Sequence, residues 1–204
     1  MGFTTGVLFA KERPAVRLEP EKNLVLIGGR GCGKSSIARR IRNHNKNFTL
    51  LELDALIRYE SGGLTIPELV DLHGWKHFRD LEYEVVRKVG AFRRGVLVDC
   101  GGGVVVDLDQ EGNEVFSKRK VRALKAHGLV VYLQRDIHYL LKKIKGDSNR
   151  PALSETASFK EIMERRDPWY REAADVVIAC ERLTKRELAE KVMNWFQTNS
   201  TVGS

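Results

Sequence analysis

Eight consecutive residues, Gly28-Gly29-Arg30-Gly31-Cys32-Gly33-Lys34-Ser35, carry the spacing G-x-x-x-x-G-K-S. Residue types in that order can hold the phosphates of a nucleoside triphosphate. Glycines let backbone N–H groups curl round an anion, and a helix opening behind them adds the partial positive charge of its N-terminus. Lys34 is then placed to reach the β- and γ-phosphates and the Ser35 hydroxyl to ligate Mg²⁺. The candidate nucleotide contacts are therefore Gly29, Arg30, Gly31, Cys32, Gly33, Lys34, Ser35 and Ser36. A chance match in a glycine-rich turn is the bland alternative. An apolar strand before the run and a helical pattern after it argue against that. The motif does not name the phosphoryl acceptor, since GTPases, motor ATPases and small-molecule kinases all carry it.

Further candidates lie at the ends of other apolar runs. Asp54 follows the run Phe48–Leu51. At the exit edge of a parallel sheet, a carboxylate can accept a hydrogen bond from a substrate hydroxyl and help remove its proton. It could equally cap the turn Ala55 to Arg58. Asp99 ends the run Gly95–Asp99, a position from which an acid can share the Mg²⁺ shell. Gly101-Gly102-Gly103 follows, either as a tight strand exit or as a place where a ligand ring meets bare backbone. Arg79 and Arg166, if brought together, could hold a carboxylate by paired N–H···O bonds, although a surface arginine is the more ordinary reading of each.

Positioning these residues requires an alternation of strands and helices. Leu24–Ile27, Phe48–Leu51, Gly95–Asp99, Gly128–Leu133 and Ala174–Ala179 are short and rich in Val, Leu and Ile, as strands buried on both faces are. Helical patterns run over Ser35–Arg42, Trp75–Val89 and Leu183–Gln197. Thr65-Ile66-Pro67-Glu68 has the form of a capping box with proline in the first turn, starting a short helix that Gly74 ends. Ser117–Lys125 reads as a helix with its basic residues on the wet face. Arg166 reads as the end of a charged helix. Asp107–Asn113 reads as a polar loop and Gly146–Ala157 as a mobile surface segment. The alternation predicts a doubly wound α/β domain.

Bulk properties fit this. The chain has 204 residues, 42% hydrophobic and 30% charged, enough for one globular domain and no basis for wholesale disorder. No apolar run approaches a membrane span, and the N-terminal segment lacks the form of a secretory signal. Cys32, Cys100 and Cys180 are too few and too scattered for a disulfide framework, which suggests a reducing compartment. The net charge of +8 suggests an anionic partner, nucleic acid or nucleotide. No nucleic-acid recognition motif accompanies it.

From about Asn23 to Phe196 the chain resembles the shikimate kinase family of nucleoside-monophosphate-kinase-like P-loop proteins. The resemblance rests on six motifs in the family's order. They are the phosphate loop, Glu52-Leu53-Asp54, Phe78-Arg79, Gly101-Gly102-Gly103, Asn149-Arg150-Pro151 and Arg166-Asp167-Pro168-Trp169-Tyr170. It implies a three-layer α/β/α P-loop fold with a five-stranded parallel sheet in the order 2-3-1-4-5, plus a small lid. It implies one domain over 1–204, with a core at 23–197, a lid at 146–157 and an acceptor-binding region at 54–79. It implies ATP-dependent, Mg²⁺-requiring phosphorylation of shikimate at the 3-hydroxyl. In the implied assignment Lys34, Asp54 and Arg150 are catalytic. Arg150 and Arg182 contact the nucleotide. Asp54, Arg79, Gly101 to Gly103 and Arg166 hold the acceptor. Ser35 and Glu52 serve the metal. Asp99 stands where the family more usually has a small hydroxylated or apolar residue, and it is expected to share that shell as the second metal-binding acid of many other P-loop proteins does. Glu52 departs from the family's usual Asp-x-Asp, and the stretch 107–117 is longer than the family's common form. A monomer in the cytoplasm, or in a plastid after transit-peptide removal, completes the expectation, with no nucleic-acid or membrane partner. A related gluconate-type kinase and a catalytically silent relative are the alternatives.

Overall fold

The computed structural model describes residues 21–144 and 158–200. Residues 146–157, expected to form the lid, and Arg150 with them, lie outside these. Asn23–Ile27 forms β1, buried along its whole length. Such a strand must be paired on both edges. It is, by β3 (Val96–Asp99) on one side and β6 (Gly128–Gln134) on the other, both parallel. β2 (Thr49–Glu52) adds outside β3, and β7 (Val176–Ala179) outside β6, also parallel. The sheet order is thus β2-β3-β1-β6-β7, with a separate hairpin of β4 (Val106–Leu108) and β5 (Glu114–Phe116). Counting the strands of the central sheet alone, this is the expected 2-3-1-4-5. The last strand is shorter than its apolar run: Ala174 caps the preceding helix, and Asp175 meets Val130 with its own N–H donating to Val130 O at 2.8 Å and its side chain, in place of its carbonyl, accepting from Val130 N–H at 2.7 Å.

Helices cover the sheet. α1 (Lys34–His44) packs with α7 (Lys185–Ser200), and the strand-edge Phe48 ring meets Phe196 edge-on at 5.5 Å between centroids. α2 (Leu53–Glu60) leaves β2 directly and packs on α3 (Ile66–Gly90). The Thr65–Glu68 capping box forms as its spelling suggests. Gly74, however, kinks the helix rather than ending it: at φ 79° the chain turns and resumes toward Gly90. α5 (Ile137–Ile144) leads toward the undescribed segment.

Three further expectations are corrected. Asp107–Asn113 is largely a hairpin rather than a plain loop, because Val106 pairs with Phe116 and Asp109 closes the turn by accepting from Glu111 and Asn113 N–H. α4 (Lys118–Lys125) does not keep all its basic residues in water. Lys120 is fully buried, held by an ion pair described below. α6 (Phe159–Ala173) runs seven residues beyond Arg166 and passes through Pro168. The buried Tyr170 and Ala173 keep that helical end packed on the core, and packing outweighs the local penalty of proline.

Candidate active site

Parallel strands place the exits of β1, β2 and β3 at one edge of the sheet, where ligands of open α/β sheets bind. The loop after β1 has Gly28, Gly31 and Gly33 at φ 143°, 83° and 102°, backbone shapes that side-chain-bearing residues rarely adopt. A Cβ on Gly33 would meet nothing within 4 Å, so the mouth of the loop is open to an anion. Lys34 curls back over it: Nζ donates to Gly28 O at 2.7 Å and Gly29 O at 3.2 Å. Burial pulls the Lys34 ammonium down, but Cys32, Asp99, Tyr170 and Asp54 outweigh it and hold its pKa above the ordinary lysine value. The lysine stays charged, as phosphate binding needs. Ser35, Ser36, Arg30 and Gly31 line the same cleft. The Cys32 side chain is buried beneath it, leaving its backbone to face the loop.

Glu52 and Asp99 are directly opposed at the ends of β2 and β3. Asp99 lies beside Ser35 in the same cleft, and its Oδ1 is buried with no partner. Burial pushes its carboxyl up, against the pull of Ser35 and Lys34. An orphaned carboxylate oxygen beside a hydroxyl is a donor set that fits a hard, oxygen-preferring cation such as Mg²⁺. Glu52 is already occupied, accepting from Arg39 Nε at 2.9 Å, so it stands one step behind.

A second pocket opens beside the first. Ile66, Trp75 and Phe78 form its apolar wall, and Asp54, Arg79, Glu82, Gly101 to Gly103 and Arg166 its polar one. Asp54, Arg30, Gly101 and Gly102 line both pockets. Arg79 is 4% exposed and Arg166 1%, so neither is the ordinary surface arginine. Arg79 Nη1 donates to Glu82 at 2.8 Å and to Gly103 O at 3.2 Å, while its Nε is buried with no partner. The triple glycine has a more specific reason than bare backbone. A Cβ on Gly101 would lie 2.6 Å from Asp54 Oδ1, and one on Gly103 2.5 Å from Arg79 Nη1. The space the glycines leave is filled by these two side chains.

Sequence reasoning missed Glu82, Lys120, Arg135 and Glu114. Glu82 is buried between Arg79 and Lys120 Nζ, which it meets at 2.8 and 2.7 Å. Burial pushes the Glu82 carboxyl up, and the two cations outweigh that and hold it below the usual carboxylate range. Its position three residues after Arg79 on one helix face was the available signal. Arg135 braces the phosphate loop from β6, donating to Cys32 O at 3.4 Å and Cys180 O at 2.7 Å. Arg182 lies exposed past β7 at φ 63° and lines neither pocket. Among the described residues no helix is long and apolar enough to cross a membrane.

The sequence model of the family described as shikimate kinase matches residues 30–197. The chain belongs to the shikimate kinase family. It is 42% identical over 178 residues to a shikimate kinase of Leptospira biflexa, covering 87% of this chain and 97% of that one. A shikimate kinase of Thermodesulfovibrio yellowstonii is 30% identical over 86% of this chain and 95% of its own. The solved shikimate kinase from Acinetobacter baumannii in complex with shikimate superposes with a TM-score of 0.75 at 26% identity. That superposition covers 91% of this chain and 97% of that one. Membership brings ATP with Mg²⁺ as the family's phosphoryl donor, in agreement with the phosphate loop and the Ser35–Asp99 pair.

Proposed function

We infer that the chain transfers the γ-phosphoryl group of ATP to the 3-hydroxyl of shikimate, a phosphotransfer to an alcohol. The observation that carries this is the shared wall: one carboxylate, Asp54, borders both the phosphate-loop cleft and the arginine-lined pocket. A hydroxyl held in the second pocket has a base at the boundary with the first.

The phosphate loop binds the triphosphate through its backbone N–H groups, and Lys34 moves from the Gly28 and Gly29 carbonyls onto the phosphate oxygens. Ser35 and Asp99 would hold Mg²⁺, with Glu52 behind them. When bound, the cation neutralises charge on the transferring group. Arg79 and Arg166 grip the acceptor carboxylate, Arg79 with the Nε–H that lacks a protein partner. That anchoring sets the ring so that its hydroxyl meets Asp54, which accepts the hydroxyl proton as the oxygen attacks phosphorus. In the family's arrangement Arg150, which lies outside the described residues, would meet the γ-phosphoryl and Arg182 the adenine. Much of the rate comes from orientation and charge neutralisation, as is general for phosphoryl transfer. The acceptor-binding region spans 54–79 within one domain, and the chain works as a cytoplasmic monomer on a small molecule.

Coupled measurement of ADP release, with shikimate and with a panel of other carboxylated polyols including gluconate, tests the reading. Turnover with shikimate well above the rest is expected. Preference for another polyol acid, or nucleotide binding without turnover on any acceptor, would overturn it.

A further inference from the structure

The 107–117 stretch, longer than the resemblance leads one to expect, delivers a carboxylate to Arg166, an arginine of the acceptor pocket. Glu114 opens β5, and its side chain is 12% exposed. It accepts from Arg166 Nε at 3.1 Å and from Arg166 Nη2, gripping the guanidinium along one edge. Arg165 Nη2 reaches the same carboxylate from the solvent side at 2.9 Å. Burial pushes the Glu114 carboxyl up, and the two arginines outweigh that and keep it ionised. Tyr170, one turn further along α6, donates its hydroxyl to Gly102 O. Arg166 itself is held by the hairpin.

The two pocket arginines are supported in different ways. Arg79 takes its counter-charge from its own helix, three residues on. Arg166 takes it from a residue 52 positions away in the chain. A guanidinium so deeply buried needs a partner, and a long flexible side chain needs a fixed one. The hairpin supplies both, because its base is tied down. Ser117 N–H bonds Val105 O at 2.9 Å, Ser117 Oγ donates to Asp107 at 2.7 Å, and Lys120 Nζ donates to Val106 O. Five N–H donors exceed the two that Glu114 consumes, so the guanidinium keeps donors for a ligand in the pocket it lines.

We propose that Glu114 is a positioning residue for the acceptor. It fixes the Arg166 fork so that its remaining N–H groups meet the acceptor carboxylate, and so sets acceptor affinity without acting on the nucleotide. This rests on the acceptor reading above.

Steady-state kinetics of wild type, Glu114→Gln and Glu114→Ala test it, with shikimate and ATP varied separately. Glu114→Ala is expected to raise KM for shikimate about tenfold, the scale of a lost charge-assisted hydrogen bond, with kcat within about twofold and KM for ATP unchanged. Glu114→Gln falls between, since its amide oxygen still accepts one bond. A shikimate analogue with hydroxymethyl in place of the carboxylate should show equal kcat/KM with wild type and Glu114→Ala. An unchanged or lower shikimate KM, or an equal rise in KM for ATP, overturns the proposal. If Glu114→Ala does not fold, Glu114→Gln decides it in the same direction. A wild type inactive on shikimate sinks the functional reading instead. The grip is then read from the Arg166 Nε–H proton resonance, expected to be protected from exchange in wild type and exposed in Glu114→Ala. Equal protection in both overturns it.

Discussion

Asp54 Oδ1 stands 2.6 Å from the point where a side chain on Gly101 would begin. That proximity ties a backbone glycine to the proposed base. Gly101→Ala is expected to push the Asp54 carboxylate off its place at the boundary of the two pockets. The backbone at Gly101 is not in the left-handed region, so alanine adds crowding without conformational strain. The expected outcome is a kcat at least about tenfold lower with little loss of thermal stability, since a displacement of about 1 Å costs far more in rate than in folding. Unchanged kcat with a folded variant would separate Gly101 from the chemistry.

Lys120 gives the sharpest stability prediction. Its ammonium is fully buried and meets Glu82 at 2.7 Å. Lys120→Met leaves Glu82 with Arg79 alone and removes the donor to Val106 O. Breaking one partner of a buried pair costs about 3–5 kcal/mol. Lys125, on the same helix, pairs with Asp175 at 3.0 Å with both side chains about a third exposed, and Lys125→Met should cost less than about 1 kcal/mol. Urea unfolding of the two variants checks the contrast. Equal losses would deny the buried ion pair its role.

The phosphate loop was legible because its strand, turn and helix are consecutive, so spacing alone encodes the geometry. Asp54, Arg79, Arg166 and the triple glycine were legible as chemistry, through a resemblance that orders them along the chain. Burial of charge was not legible. Lys120 sits in the run Lys118-Arg119-Lys120, which locally reads as a wet basic face. Its partner lies 38 residues away, and nothing local distinguishes it from its neighbours. The hairpin had a usable signal: Val104–Val106 and Val115–Phe116 flank a polar turn with Gly112 at φ 84°. What that turn delivers to Arg166 depends on tertiary packing and could not be read from it.

Glu82 also shapes the response to acid. Its carboxyl is held below the usual range by Lys120 and Arg79 against the effect of burial. A depressed folded pKa contributes stability that is fully present above the unfolded pKa of about 4.3 and is lost as pH falls through the folded value. The melting temperature of wild type should therefore exceed that of Glu82→Gln by a constant margin from pH 7 to about 5. Below that the margin should shrink. Calorimetric scans from pH 7 to 3 measure it, and a margin that widens on acidification would show the sign to be wrong.

Arg79 tests whether planarity matters in the acceptor pocket. Its guanidinium centre lies 5.4 Å from the Trp75 ring and 5.0 Å from the Phe78 ring, fixed by Glu82 and Gly103 O with Nε left over. Lysine preserves the charge and can still reach Glu82, but it has one nitrogen where arginine offers a fork. Arg79→Lys is therefore expected to fold and to bind ATP as wild type does. KM for shikimate should rise about tenfold or more, because the paired contact to the acceptor carboxylate is lost while the charge remains. Nucleotide titration alongside acceptor kinetics separates these. A variant with wild-type shikimate KM would mean that charge alone, and not the shape of the guanidinium, holds the acceptor.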